Sequence, residues 1–196
     1  MATYHRPVGA KRLWVYAGLD TIIHMFAFPF ELDQIAHWAK EYSYPQADDV
    51  PIQIGRTART NGYLSRDDFL TLARWKSRRP SKRHAQNDEQ TVREVTRFAL
   101  STKSEALRLR SLTLLSGVAD RTASAILHLC HRDQYPLMDV RAYGALGVTR
   151  KPNDWSARWP EYTAFCRDLA ARANVDMRTL DRALWAYSDA YGLVAR

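Results

Sequence analysis

The sequence predicts an all-α fold whose helices pack as one large domain or as two closely packed lobes. Apolar residues recur at spacings of three and four in several segments, and most of these segments begin with a residue that favours a helix N-terminus. No long segment alternates apolar and polar residues, as the strands of a half-buried sheet would. Apolar residues make up 46% of the 196 residues, which is enough for a substantial core.

Four helices are predicted before residue 131. Ser65 and Asp68 form a capping box at the start of the first helix. Asn87 is the predicted N-cap of the second helix. The four helices are assigned, in order, to residues 65–75, 87–100, 103–115 and 121–130.

Three more helices are predicted in the C-terminal third. Asp139 can cap a short helix over 140–147, and Pro160 suits the first turn of the next helix. Asp176 can cap the last helix, which Gly192 ends. The apolar stripes that predict core contacts in the last two helices are Tyr162, Phe165, Leu169 and Ala173, followed by Met177, Leu180, Leu184, Tyr187 and Tyr191.

The chain divides near residue 62. Residues 44–62 contain two prolines and two glycines, which predicts a loop that links an N-terminal segment to the rest. Residues 1–62 form that segment, whose role the sequence leaves open, and residues 63–196 form the helical domain. The aromatic residues that predict packing within the N-terminal segment are Trp14, Phe26, Phe28, Phe30 and Trp38.

The charge balance favours a polyanionic partner. Lysine and arginine total 29 against 21 acidic residues, a formal net charge of +8. Nucleic acid is the first candidate partner and an anionic membrane surface the second. Residues 74–83, called the basic loop below, contain no acid and are broken by Pro80, so they predict either a phosphate-binding loop or a solvated surface loop. Its basic residues are Arg74, Lys76, Arg78, Arg79, Lys82 and Arg83.

Several classes of protein are disfavoured. Cys130 and Cys166 are the only cysteines, too few for a disulfide framework or an iron–sulfur cluster. The most apolar stretch, 21–30, is too short to span a membrane, and no signal peptide is recognised. His128 and His131 share a helix face but have no second ligand cluster, so no metal site is predicted. These features predict a soluble, reduced protein of the cytoplasm that associates with the nucleoid.

The segment most informative about chemistry is 115–123, which reads Leu-Ser-Gly-Val-Ala-Asp-Arg-Thr-Ala. Gly117 suits a tight turn between two helices, and the small residues Ala123 and Ala125 let those helices approach closely. Such a turn leaves backbone N–H groups at a helix N-terminus facing outward, where they can bind phosphate. A contact of this kind positions DNA without reading its sequence.

Residues 92–146 resemble the helix-hairpin-helix region of the endonuclease III and 3-methyladenine glycosylase superfamily, whose hairpin commonly reads Leu-Pro-Gly-Val-Gly-x-Lys-Thr-Ala. The run Asp-Arg-Ala-Leu-Trp over 181–185 also resembles the final helix of such domains. The resemblance implies a two-lobed all-α glycosylase fold, a hairpin at about 107–130, an active site between the lobes and double-stranded DNA as partner. The hairpin residues in register are Leu115, Gly117, Val118, Thr122 and Ala123. The hairpin residues that it implies to lie at the DNA are Ser116, Gly117, Val118, Ala119, Arg121 and Thr122.

The resemblance also implies a catalytic residue. The superfamily places its essential aspartate beyond the second hairpin helix, and Asp139 stands there. In the endonuclease III branch the catalytic lysine precedes that aspartate by about eighteen residues, and Arg121 stands eighteen residues before Asp139. The implied reaction is hydrolysis of the N-glycosidic bond of a flipped-out base. Asp139 is also a good helix N-cap, and both interpretations remain open.

Three departures from the family pattern modify these expectations. Arg121 replaces the lysine, and a guanidinium cannot form the Schiff base of a bifunctional glycosylase–lyase, so efficient strand cleavage is not expected. Ala119 replaces the second glycine and Asp120 adds a negative charge, which together predict weaker phosphate affinity. The cysteine cluster that follows the domain in endonuclease III is missing, so no cofactor is expected, although a monovalent cation at the hairpin stays open.

The combined hypothesis is a monomeric, monofunctional DNA glycosylase. Its target base could be damaged, mispaired or hypermodified, which corresponds to genome repair or to defence against modified phage DNA. Trp75, beside Lys76 and the basic loop, is the preferred aromatic residue of a base pocket and Trp185 the second, although both residue types are common in cores. The main alternative is a non-catalytic DNA-binding protein that uses the hairpin for docking, and a more distant one is a basic protein that binds RNA or a membrane surface.

Overall fold

The computed structural model describes residues 26–44, 47–150, 154 and 156–195. Trp14, Pro45 and residues 21–25 of the apolar stretch lie outside this part. Within the described ranges the fold is all-helical, as predicted. Short 3₁₀ turns cover Leu32–Gln34 and Ser156–Arg158, and the α-helices are α1 Ile35–Lys40, α2 Asp49–Asn61, α3 Arg66–Lys76, α4 Ser81–His84, α5 Glu89–Ser101, α6 Glu105–Leu112, α7 Asp120–Cys130, α8 Val140–Ala145, α9 Trp159–Arg172 and α10 Met177–Tyr191.

Helix α7 is the centre of the core. Every residue from Thr122 to Leu127 is buried, and α2, α3 and α6 pack around the helix. A helix that is apolar on all sides is stable only when other elements cover it. Gly55 lets α2 approach closely, because a Cβ at this position would overlap the backbone carbonyl of Leu129 on α7.

Helix α10 organises the other side of the molecule, where α1, α8 and α9 pack against it. The ring of Phe26 lies 5.6 Å from that of Tyr143 and 5.5 Å from that of Tyr162. Trp38 on α1 makes an edge contact with Tyr187 on α10, with 5.1 Å between ring centroids. The described aromatic residues of the N-terminal segment therefore join the core of the C-terminal helices.

The loop predicted over 44–62 is wrong for most of its length, because residues 49–61 form α2. Pro51 is the third residue of this helix, where a missing N–H costs no intrahelical hydrogen bond. Gly62 ends the helix in the left-handed conformation, with φ of 77°. The proline and glycines that suggested a linker are thus a first-turn proline, a packing glycine and a C-cap.

The other helix predictions hold with small shifts at the ends. Ser65 and Asp176 cap α3 and α10 as predicted, and Gly192 ends α10. The N-cap of α5 is Asp88 instead of Asn87, since its side chain accepts the Thr91 N–H. The third predicted helix starts two residues late and ends early, as α6. The loop predicted over 74–83 is wrong outside residues 77–80, because 74–76 extend α3 and 81–84 form α4, which begins after Pro80 as its N-cap.

Helices α6 and α7 are joined by a short turn over 113–119, which confirms the predicted order of a helix, a tight turn at Gly117 and a second helix. In the part of the chain that the structure describes, no helix is both long enough and apolar enough to cross a membrane.

Candidate active site and nucleic-acid interface

Asp139 lies in the loop after α7, and the residues before it are anchored on two sides. The Met138 N–H donates to Ser124 Oγ on α7 at 2.9 Å. The Tyr162 hydroxyl on α9 donates to the Leu137 carbonyl at 2.9 Å. Both loop residues are buried. The carboxylate of Asp139 is therefore held by rigid helices, as a reactive group requires.

The two carboxylate oxygens of Asp139 have separate partners. Oδ1 accepts the Arg141 N–H at 3.0 Å, so Asp139 is the N-cap of α8. Oδ2 accepts from Lys76 Nζ at 3.1 Å and faces Arg121 Nη2 at 3.5 Å. Capping occupies one oxygen, and the other lies between two cations.

These partners set the charge of Asp139. Burial raises the pKa of this carboxyl, but the nearby Lys76 ammonium, the Arg141 N–H and the Arg121 guanidinium outweigh burial and hold the pKa below its ordinary value. The group is therefore an ionised carboxylate at neutral pH. Its side chain is 20% exposed, so the charge is sheltered but reachable.

Lys76 pairs with Asp139, although the sequence assigned it to DNA binding. It is the last residue of α3, and its side chain is only 9% exposed. The sequence grouped Lys76 with the basic loop as a DNA contact, whereas in the structure its ammonium pairs with Asp139, 63 residues away. Arg121, by contrast, is 45% exposed. The Lys76 ammonium is thus a buried partner of the carboxylate, and the Arg121 guanidinium is an exposed partner.

The hairpin turn is held by side chains from the α4–α5 region. Gly117 has φ of 82°, and its carbonyl accepts from His84 Nε2 at 3.0 Å. Asn87 donates to the Ser116 carbonyl at 3.0 Å and accepts the Ser116 N–H at 2.7 Å. Burial and the charge of Arg74 lower the pKa of His84, which keeps the ring neutral with one N–H for the Gly117 carbonyl.

The basic loop packs directly on this turn. A Cβ on Gly117 would lie 2.7 Å from His84 Cδ2 and 2.9 Å from Arg83 Cβ. The charged side chains beside this contact are exposed. The two segments that the sequence assigned to DNA binding therefore form one continuous surface, which we call the basic face. Its members are Ser116, Gly117, Ala119, Arg121, Arg78, Arg79, Lys82 and Arg83.

The N-terminus of α7 lies on the basic face. Its N-cap, Ala119, makes no side-chain cap hydrogen bond, so the first N–H groups of the helix have no capping side chain. Two of the predicted contact residues, Val118 and Thr122, are buried, and only their backbone can lie near a ligand. Burial and the neighbouring Asp154 raise the pKa of Asp120 in this turn. The acidic side chains of Asp120 and Asp154 therefore oppose phosphate binding at this end of α7.

Salt dependence measures whether the basic face binds DNA phosphates. Replacing four exposed cations of the basic loop with alanine is expected to weaken DNA binding for every sequence. Each lost phosphate contact should reduce the slope of log affinity against log salt by up to about 0.9. The variant carries the replacements Arg78, Arg79, Lys82 and Arg83→Ala.

A second fourfold variant controls for net charge, because it removes equally exposed cations outside the basic loop. An equal loss of slope in both variants would mean that overall charge, and not the basic face, governs binding. The replaced residues of the control are Lys40, Arg56, Lys103 and Arg132.

Trp75 and Lys76, the partner of Asp139, line a cavity of about 560 Å³, whereas Trp185 is not among its described lining residues. Trp185 makes edge contacts with Tyr42 and Tyr44, at 5.1 and 5.6 Å between ring centroids. The Arg141 guanidinium lies 4.8 Å from the centre of the Trp185 ring. Of the two tryptophans that the sequence proposed for a pocket, only Trp75 is among the lining residues.

Sequence reasoning missed the contribution of Tyr42, Tyr44 and Asp48 to the packing around Trp185 and Arg178. Asp48 is buried, and its Oδ2 accepts from Arg178 Nε at 2.9 Å and from Arg182 Nη2 at 2.8 Å. Arg178 also pairs with Asp181 and donates to the Tyr42 hydroxyl. Burial raises the pKa of Asp48, but Arg182 and Arg178 hold it below its ordinary value. The local signal was Tyr-Ser-Tyr ahead of two aspartates, which has no helical or strand periodicity.

Within the described ranges the structure contains neither a disulfide bond nor a cluster of possible metal ligands. No group of three metal-binding side chains occurs there. Cys130 and Cys166 are buried and unpaired, and burial raises the pKa of the Cys130 thiol to about 12. His128 is partly buried, and its Nδ1 lies 2.6 Å from the Tyr135 carbonyl oxygen. A monovalent cation at the hairpin stays a prediction.

The structure thus brings together an ionised carboxylate, two flanking cations, of which Lys76 also lines a cavity, and a basic face that carries the turn between α6 and α7. Comparison of the chain with family models, with curated proteins and with solved structures finds no match.

Proposed function

We propose that the protein is a DNA glycosylase that flips a damaged, mispaired or hypermodified base out of the duplex and hydrolyses its N-glycosidic bond, leaving an abasic site. One observation carries the proposal: the ionised carboxylate of Asp139 pairs with Arg121 of the basic face and with Lys76, which also lines a cavity. The basic face would hold the phosphate backbone. The cavity would receive the extruded nucleotide, because the bond to be cut is shielded inside the duplex.

The chemistry follows from the position of Asp139. As the bond between C1′ and the base nitrogen breaks, its electron pair leaves with the base and positive charge develops on the sugar. The carboxylate stabilises that charge, and a water oxygen then bonds to C1′ while Asp139 accepts the proton of the water. Because Oδ1 caps α8, the carboxylate meets this charge in a fixed orientation.

The proposed enzyme has the two-lobed helix-hairpin-helix fold, with its active site between the lobes. It acts as a monomer on double-stranded DNA and needs no resident cofactor. Repair of the genome and defence against modified phage DNA both require this reaction. Both roles operate where DNA is, inside the cell.

A non-catalytic DNA-binding protein is the second candidate. The helix cap favours it, since Asp139 would be retained for α8 alone. The two cations at Oδ2 favour catalysis instead. A cap needs only one oxygen, whereas an acid placed at a phosphate-binding surface weakens docking unless it serves another purpose.

Direct detection of base release tests the proposal. Duplexes of one sequence, each carrying a different damaged, mispaired or modified base, are incubated with the protein, and released bases are identified by mass spectrometry. Release of at least one base with formation of an alkali-labile site is the expected result. Tight binding of every duplex with no release would favour the non-catalytic function.

Strand cleavage is expected only after heat or alkali. At the hairpin position Arg121 has no free lone pair to attack C1′ of the sugar, and Lys76 is paired with Asp139 as an ammonium, which has none either. Borohydride should therefore trap little covalent protein–DNA adduct. Abundant trapping that disappears in Lys76→Arg but persists in Lys82→Arg would contradict this prediction and identify Lys76 as the attacking amine.

Replacing Lys76 with methionine is expected to move the acidic limb of the pH profile of kcat/KM to higher pH. The Lys76 ammonium lowers the pKa of Asp139, so its removal raises that pKa, and protonation then inactivates the carboxylate at a higher pH. Lys76→Arg retains the charge and serves as the matched control, with a smaller shift. An unmoved limb in Lys76→Met would mean that Asp139 is not the group whose ionisation governs activity.

A further inference from the structure

The cavity that Trp75 and Lys76 line is bordered by aromatic and cationic side chains. Its volume is about 560 Å³, within the range of roughly 300–1,000 Å³ that small-molecule sites occupy. It shares Lys76 with the candidate active site, since Lys76 lines the cavity and its Nζ lies 3.1 Å from Asp139 Oδ2. The lining residues are Tyr44, Ala47, Arg74, Trp75, Lys76, Ser77 and Arg78.

The described residues of the lining combine two aromatic rings with three cations and include no carboxylate. Lys76 is neutralised by Asp139. Among the described residues, no acidic side chain lies within ion-pair distance of Arg74 or Arg78, both of which are exposed. Two guanidinium groups are therefore available to a ligand, and the hydroxyl of Ser77 lies between them in sequence.

The two aromatic residues of the lining are held by contacts with neighbouring side chains. The ring of Tyr44 packs edge-on against Trp185, and the Arg178 guanidinium lies 5.6 Å from the centre of the Trp75 ring. Arg178 is itself fixed by Asp48, with Nε 2.9 Å from Oδ2. A wall that is held in place before a ligand arrives loses little conformational entropy on binding.

We infer that this cavity receives the flipped base and selects bases that carry a large, oxygen-rich substituent. The inference rests on the proposed function and narrows its substrate to the hypermodified class. Tyr44 and Trp75 offer flat apolar surface for the base ring, because extruded bases are held by stacking between aromatic side chains. Arg74 and Arg78 offer charge-assisted hydrogen bonds, which carboxylate, phosphate or sugar oxygens accept. A small uncharged base would leave both guanidinium groups and much of the volume unused.

Selectivity between closely matched duplexes tests the inference. The duplexes differ only at C5 of one cytosine, which carries hydrogen, methyl, carboxyl or a glucosylated hydroxymethyl group. The ratio of kcat/KM for each substituted base to that for methylcytosine is measured by mass spectrometry of the released base. We expect kcat/KM for the carboxyl duplex or for the glucosyl duplex to exceed kcat/KM for the methyl duplex by about tenfold or more. Which of the two is higher shows whether the cavity prefers an anionic substituent or a sugar.

Two variants locate the selectivity in the cavity. Arg74→Ala should bring the ratio close to one, because Arg74 lines the cavity and is not a member of the basic face. Arg56→Ala, which removes an exposed cation outside the lining, should leave the ratio unchanged. A uniform loss in Arg74→Ala on all duplexes would mean that Arg74 contacts the DNA backbone, and it would overturn the inference. Faster release of cytosine or methylcytosine than of the substituted bases would overturn it as well.

The DNA affinity of an inactive variant distinguishes failure of the inference from failure of the proposed function. Asp139→Asn removes the charge needed for chemistry and replaces no lining residue, but it leaves Lys76 without its carboxylate partner. Recognition is therefore measured from the affinity for the uncharged glucosyl duplex relative to the methyl duplex. Tighter binding of the glucosyl duplex supports the inference even if no base is released. Release of only small damaged bases, such as uracil, supports the glycosylase function and overturns the inference.

Discussion

Asp139→Asn is expected to abolish base release while leaving DNA binding nearly unchanged. The loss should be about 10²-fold or more, since the variant removes both the negative charge that stabilises the sugar cation and the acceptor for the proton of water. Asparagine is also a favoured N-cap, so α8 keeps its cap at Arg141 N–H and the fold should be retained. Single-turnover base release and equilibrium DNA affinity measure the two effects separately.

Asp189→Asn is a matched control for this variant. Asp189 lies on α10, and its Oδ1 is 2.7 Å from Arg141 Nη1, so the control removes a carboxylate from the same region without touching Asp139. Base release by the control should remain near the wild-type rate. A normal rate in Asp139→Asn would reduce Asp139 to a helix cap and leave the non-catalytic DNA-binding function as the better account.

Gly117→Val should have the second largest effect, on both stability and DNA binding. At φ of 82° a β-branched residue costs about 1–2 kcal/mol, and the new side chain would also collide with His84 and Arg83 at an overpacking cost of about 1–3 kcal/mol. Relief of this collision moves α4 away from the hairpin turn and divides the basic face. We therefore expect a lower midpoint of thermal unfolding and weaker DNA binding.

Gly62→Val separates backbone strain from the collision. Gly62 has φ of 77°, and nothing lies within 4 Å of the position where its Cβ would be. This variant should lose only the stability that the strained backbone costs, and it should bind DNA normally. If Gly117→Val unfolds at the same temperature as Gly62→Val and binds DNA equally well, the contact between the basic loop and the hairpin does not contribute to docking.

Helix signals confined to a few neighbouring residues could be interpreted from the sequence. Ser65 and Asp176 cap their helices, and Gly192 ends α10 in the left-handed conformation. Asp139 caps α8 as expected. Each of these roles depends on backbone groups within three or four residues, so the local pattern contains the necessary information.

Errors arose where one residue type serves more than one purpose. Pro51 and Gly55 indicated a loop, but proline is acceptable in a first helical turn, and Gly55 is required by the close approach of α2 to Leu129. Asn87 indicated a helix cap, but its amide bonds both backbone groups of Ser116 instead. The partner that decides between these roles is distant in the chain.

The sequence by itself determined the all-α class, the turn at Gly117, the basic composition of the loop that follows α3 and the N-cap role of Asp139. Only the tertiary structure decided that Lys76 pairs with Asp139 and that Tyr44 and Trp75 border one cavity. The physical reason is that caps, turns and helix periodicity come from hydrogen bonds between near neighbours. The surroundings of a buried charge depend instead on how α3, α7 and α10 pack, and no short segment encodes that arrangement.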